Sequence, residues 1–61
     1  MDKDDMRIAE EMLREGKIIS EENYNDGKRE ICFSFVEYGG CVFYITTWDN
    51  EPVYLRFDHK I

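Results

Sequence analysis

The sequence is short of the residues that most chemistry requires. It has one histidine, His59, and two cysteines, Cys32 and Cys41. A metal site would need His59 joined by Cys, Asp or Glu at ligand spacing, and neither cysteine belongs to a CxxC pair. Ser20 and Ser34 have no nucleophile motif around them. Gly39-Gly40 is too short for a phosphate cradle, which needs a longer glycine-rich loop opening a helix. It reads as a turn. The adjacent acids Glu10-Glu11 and Glu21-Glu22 diverge on a helix or an edge strand, with nothing apolar beside them to raise a carboxyl pKa. No catalytic residue, metal ligand or cofactor is assigned, and no enzyme activity is expected. A chain of this length built on one sheet also has little volume for a pocket.

Cations are scarce too. Lys and Arg number 8 against 14 Asp and Glu, for a net charge of −6. Ten of those acids fall within residues 1–30. Binding nucleic acid through its phosphates needs clustered Lys and Arg, so direct nucleic-acid binding is not expected. Anionic membrane surfaces are disfavoured for the same reason. No run approaches the roughly 20 apolar residues of a membrane span. The N-terminal MDKDDMR is acidic rather than basic and then apolar. These features predict a soluble, cytoplasmic protein whose favoured partners are basic.

What is present is one organising stretch, Ile31 to Phe57, in which nearly every second residue is large and apolar. That alternation is the mark of strands with one buried face. The 61 residues form a single domain, 1–61, near the lower size limit for unaided folding. Self-association or a bound partner would add stability.

Residues 2–15 predict a helix. Asp2 caps it, and Asp4 and Asp5 sit where the helix dipole favours negative charge. Met6, Ala9 and Leu13, with Met12 and Ile8 beside them, form a thin apolar stripe. Glu10 and Arg14 make a supporting i,i+4 pair. Gly16 suits the C′ position, so the helix stops near Glu15. Lys17–Tyr24 reads as a charged edge strand, with Ile18 and Ile19 as alternative core-facing residues. Asn25-Asp26-Gly27 is a hairpin turn. Lys28–Glu37, Cys41–Thr47 and Val53–Asp58 follow as strands, with Trp48 to Pro52 as the last loop. The expected fold is α+β, one N-terminal helix packed on one face of a three- to four-stranded antiparallel meander sheet.

The double glycine decides which side chains share a face. A two-residue turn pairs Phe35 with Tyr44 and Phe33 with Thr46. A three-residue loop, Tyr38-Gly39-Gly40, pairs Phe35 with Phe43 and Phe33 with Ile45. A one-residue change in register exchanges the faces. The longer loop keeps one face wholly apolar and is the expectation. Ile31, Phe33, Phe35, Phe43, Ile45, Val53, Leu55 and Phe57 are then core. Cys32 and Cys41 lie on opposite faces as free thiols, which fits a reducing compartment.

One helix covers one face, so the second is open, and its predicted partner-binding residues are Val36, Val42, Tyr44, Tyr54 and Arg56, with Trp48 at the border. Tyr, Trp and Arg are the residues enriched at binding hot spots. Aromatic sheets also stack single-stranded bases, but in a basic setting, and here Arg56 is the lone cation. A second predicted surface is the acidic outer side of the helix and its neighbours, Asp4, Glu11, Glu15, Glu21 and Glu22. The expected function is that of a small acidic non-enzymatic protein-binding module, an inhibitor or regulator of a larger protein. A basic, nucleic-acid-handling partner suits its charge. Small acidic proteins of phages and mobile elements offer an analogy of size and charge alone. The alternative is a structural homo-oligomer or assembly subunit, paired through the open sheet face or an edge strand.

Overall fold

The computed structural model describes residues 1–61. Helix α1 (Lys3–Glu15) is followed by β1 (Lys17–Asn25), β2 (Glu30–Tyr38), β3 (Cys41–Trp48) and β4 (Glu51–Lys60). The strands form one open antiparallel sheet in the order β1-β2-β3-β4. The fold is α+β, with the helix packed on one side of a four-stranded meander. No helix is long and apolar enough to cross a membrane.

Asp2 caps α1, its carboxylate accepting the Asp4 N–H at 2.8 Å. Asp4 and Asp5 occupy the first turn and Arg14 the last, as the dipole favours. Ala9 and Met12 are the buried residues of the helix, while Ile8 is exposed. Gly16 ends α1 in an extended conformation, φ −81° and ψ 178°, not the left-handed one common after helices. Glycine is required there for space. A Cβ would lie 2.6 Å from the Met12 carbonyl oxygen, 2.7 Å from Val36 Cγ1 and 2.8 Å from the Glu37 carbonyl oxygen. The missing side chain lets the backbone cross Val36 on its way into β1.

The Asp26 carboxylate organises the first hairpin loop by accepting the N–H groups of Lys28 and Arg29, both at 2.9 Å. Those bonds, the one from Lys28 foremost, hold the carboxyl below the usual carboxylate range. The β2–β3 connection is the two-residue turn Gly39-Gly40, with φ of 60° and 80° and Tyr38 opposed to Cys41. Two left-handed residues in succession are what a two-residue hairpin of this kind demands.

This turn corrects the expected three-residue loop. Phe35 is opposed by Tyr44, Val36 by Phe43 and Ser34 by Ile45. The faces are exchanged accordingly. Val36 and Ile45, each 0% exposed, form the core with Ala9 and Met12, and Leu13, Tyr38, Phe43 and Leu55 pack around it. Ile31, Phe33 and Phe35 alternate with that set and lie on the side away from the helix. Val36 is therefore a core residue, not part of a contact surface. Cys32 and Cys41 share the helix side rather than opposite faces. They remain free thiols because Cys32 opposes Thr47 at one end of the ladder and Cys41 opposes Tyr38 at the other. That separation is on the order of 20 Å along the strands.

The last connection is shorter than the expected loop. Asp49-Asn50 is a two-residue turn with φ of 49° and 70°, closed by the Trp48–Glu51 pair. The Asp49 carboxylate accepts the Glu30 N–H at 2.9 Å, and the Asp49 N–H donates to the Glu30 carbonyl at 2.8 Å. These bonds tie the turn to the start of β2 and offset its left-handed backbone. Val53 is then the extra residue of a bulge between the Tyr54 and Pro52 pairs, not a regular core position, and Ile45 opposes Leu55. Phe57 opposes Phe43 on the helix side but is 55% exposed and is not a core residue. Ile18 opposes Val36 on the helix side and Ile19 falls in the bulge, yet both are exposed, so neither is a core residue.

Candidate docking face

The side of the sheet away from the helix is built in rows across the strands. Ser20, Phe35, Tyr44 and Arg56 form one row, and Glu22, Phe33, Thr46 and Tyr54 the next. Tyr24, Ile31, Trp48 and Glu51 follow towards one end, and Lys17, Glu37, Val42 and His59 towards the other. Apolar rings fill the middle and charges the border.

Tyr44 is the hub. Its ring centroid lies 5.1 Å from that of Phe35, 6.4 Å from Phe33 in a near-parallel stack, and 6.0 Å from Tyr54 edge-on. Arg56 places its guanidinium carbon 4.9 Å from the same ring. The Asp58 carboxylate steadies Arg56 through a 3.0 Å hydrogen bond and accepts another from His59 at 2.8 Å. Those two partners, His59 foremost, hold the Asp58 carboxyl below the usual range. At the far end Arg29 sits 4.3 Å over the Trp48 ring. Aromatic pairs contribute roughly 0.5–1.5 kcal/mol beyond the area they bury. The rings thus hold one another in place before any partner arrives. Trp48 and Tyr54 remain 43% and 47% exposed.

Beside the hub runs a groove of ≈ 520 Å³ lined by Ser20, Glu21, Glu22, Phe33, Phe35 and Tyr44. Its walls are aromatic and its lip carries the Glu22 carboxylate. A smaller hollow of ≈ 210 Å³ lies on the helix side, where Leu13 borders Cys32, Ser34, Thr47 and the acids Glu21 and Glu30. No group of three or more His, Cys, Asp or Glu side chains is placed to hold a metal ion.

Of the residues expected to make contact, Tyr44, Trp48, Tyr54 and Arg56 come together on this face. Val42 shares it but is buried, beneath no helix, between Glu37 and His59. Of the expected acidic surface, Glu22 lies on the side of the sheet away from the helix. Glu21 and Glu22 alternate to opposite sides of β1, against Ser34 and Phe33. Glu11 accepts a short hydrogen bond from the Tyr38 hydroxyl, which pushes the Tyr38 phenol up, with the Glu15 charge adding to the shift. Sequence reasoning missed Ile31, Phe33, Phe35 and Arg29. With Arg29 on the face, Arg56 is not its lone cation. The signal that could have found them is the double glycine itself, whose turn chemistry fixes the register. The chain matches no protein-family model, no curated protein and no solved structure.

Proposed function

We propose that the chain is a small non-catalytic binding module, a regulator or inhibitor that docks on a protein partner through the open face of its sheet. One observation carries this reading. The helix covers the side bearing Cys32, Ser34 and Thr47, while the half-buried Ile31, Phe33, Phe35 and Tyr44 lie on the uncovered side with the exposed Trp48 and Tyr54. A contiguous apolar patch rimmed by charge marks an interaction site, and Tyr, Trp and Arg dominate binding hot spots. Four strands about eight residues long give a face on the order of 500 Å² before side-chain relief is counted. With that relief it approaches the roughly 800 Å² that one partner contributes to a specific interface.

Affinity capture with three baits tests the reading: wild type, a Tyr44→Ala/Trp48→Ala variant, and a Glu10→Ala/Glu15→Ala variant of the helix. The reading expects a specific partner to be lost with the first variant and kept with the second. Equal recovery by all three contradicts it.

A further inference from the structure

We infer that the occupant of the open face is a second copy of this chain, packed sheet on sheet about a two-fold axis. This rests on the reading of that face as a docking surface and names its partner.

The core of one chain is thin. Its buried apolar residues are Ala9, Met12, Val36, Val42, Ile45 and Pro52. A second sheet stacked about 10 Å away would enclose the rings around Tyr44 and give the chain an aromatic core it otherwise lacks. The area argues the same way. Two such faces together approach the roughly 1,200–2,000 Å² of a stable interface.

Charge and shape identify the copy. A two-fold interface brings one patch against itself, so each feature must find its complement on the same face. With the axis in the interface and along the strands, β1 of one copy lies over β4 of the other, and β2 over β3. The β1 border carries the Glu22 carboxylate at the lip of the aromatic groove. The β4 border carries Tyr54 in the row of Glu22 and Arg56 in the next row. Arg56 bonds Asp58 through one nitrogen and keeps 44% of its side chain exposed, so other donors face outward. The groove of each copy, ring-walled and acidic at its edge, receives the Tyr54 and Arg56 of the other. Two Glu22–Arg56 pairs form by symmetry, and the rings of Phe33, Phe35 and Tyr44 meet at the centre.

Sedimentation equilibrium of the full chain tests the pairing. Wild type is expected at twice the 7.4 kDa chain mass. Glu22→Arg and Arg56→Glu, both at exposed positions, should each weaken the dimer about tenfold, and the double variant should recover most of that loss. Tyr44→Asp should give a monomer. A dimer insensitive to the single reversals, or not restored by the double, overturns this arrangement in favour of another, such as edge-strand pairing. A monomer at every concentration overturns the dimer altogether. A monomeric chain whose captured partner is still lost with Tyr44→Ala/Trp48→Ala leaves the docking reading standing with a different protein as occupant. A monomer indifferent to those substitutions overturns both.

Discussion

Phe35 and Tyr44 oppose each other across the β2–β3 hairpin, ring centroids 5.1 Å apart, on the side of the sheet that the helix does not cover. Their chain neighbours Val36 and Phe43 are also opposed, on the side that it does cover. A single register thus sets Val36 and Ile45 in the core under the helix, with Phe43 beside them, and leaves Phe33, Phe35 and Tyr44 on the open face. The consequences can be measured one at a time.

Adjacent residues should respond oppositely to an added hydroxyl. Val36→Thr places a polar group at a site that is 0% exposed, with no partner arranged for it. That costs roughly 1–3 kcal/mol, a large share of the margin of a domain this small. Phe35→Tyr adds its hydroxyl on the solvent side and should stay within about 0.5 kcal/mol of wild type. Urea unfolding at low protein concentration checks the order. The reverse order would mean that the faces are exchanged.

Gly16 should resist substitution although its backbone angles suit any residue. Gly16→Ala drives a methyl group into Val36 and two carbonyl oxygens, and overpacking of that kind costs roughly 1–3 kcal/mol. Gly27 is the opposite case. Nothing lies within 4 Å of an added Cβ, but φ is +89°, so Gly27→Ala should cost about 1–2 kcal/mol through the backbone alone. Thermal unfolding compares the two. A neutral Gly16→Ala would show that the helix end sits farther from β2.

The Asp49-Asn50 turn offers a stabilising change. Asn50 holds φ of 70° and has no side-chain hydrogen bond of the kind that Asp49 makes to Glu30. Asn50→Gly should therefore raise stability by about 0.5–1 kcal/mol. Asp49→Gly loses the bond to Glu30 and should bring no gain. Unfolding midpoints of the two variants test this directly.

Stability should fall at both ends of the pH scale. Asp26 and Asp58 are held below the usual carboxylate range by their hydrogen-bond partners. Their contribution is complete above about pH 4 and is lost as the pH drops through their lower folded values. Tyr38 is shifted the other way by Glu11. Its contribution is complete below about pH 10 and is lost as the pH rises beyond that. Melting temperature against pH should show both edges. Asp26→Asn should soften the acid edge, and Tyr38→Phe the alkaline one.

Much of this architecture was legible in the residues. Asp2 and Gly16 bracket the helix as expected, and the alternation from Ile31 onward gives the strands. The register does not follow from hydrophobic patterning alone. Choosing the most apolar face as the core assumes that a chain buries its greasiest surface within itself. Here Phe33 and Phe35 lie on the open side while Phe43 and Leu55 lie under the helix, and Gly39-Gly40 outweighed hydrophobicity as evidence, because two positive φ values in succession specify a two-residue turn. The loop before β4 misled similarly. Pro52 reads as loop but is buried at the edge of the sheet, and the bulge at Val53 restores the Ile45–Leu55 pair. Tyr44, Tyr54, Trp48 and Arg56 lie on the side away from the helix in either register.

Nuclear Overhauser contacts from the helix methyl groups decide most directly which face is open. Ala9 Cβ and Met12 Cε should show contacts to the methyl groups of Val36 and Ile45, with which they form the buried cluster, and none to the rings of Phe33, Phe35 or Tyr44. Contacts from Met12 to the Phe35 ring would put the aromatic side beneath the helix and contradict the docking face built on it.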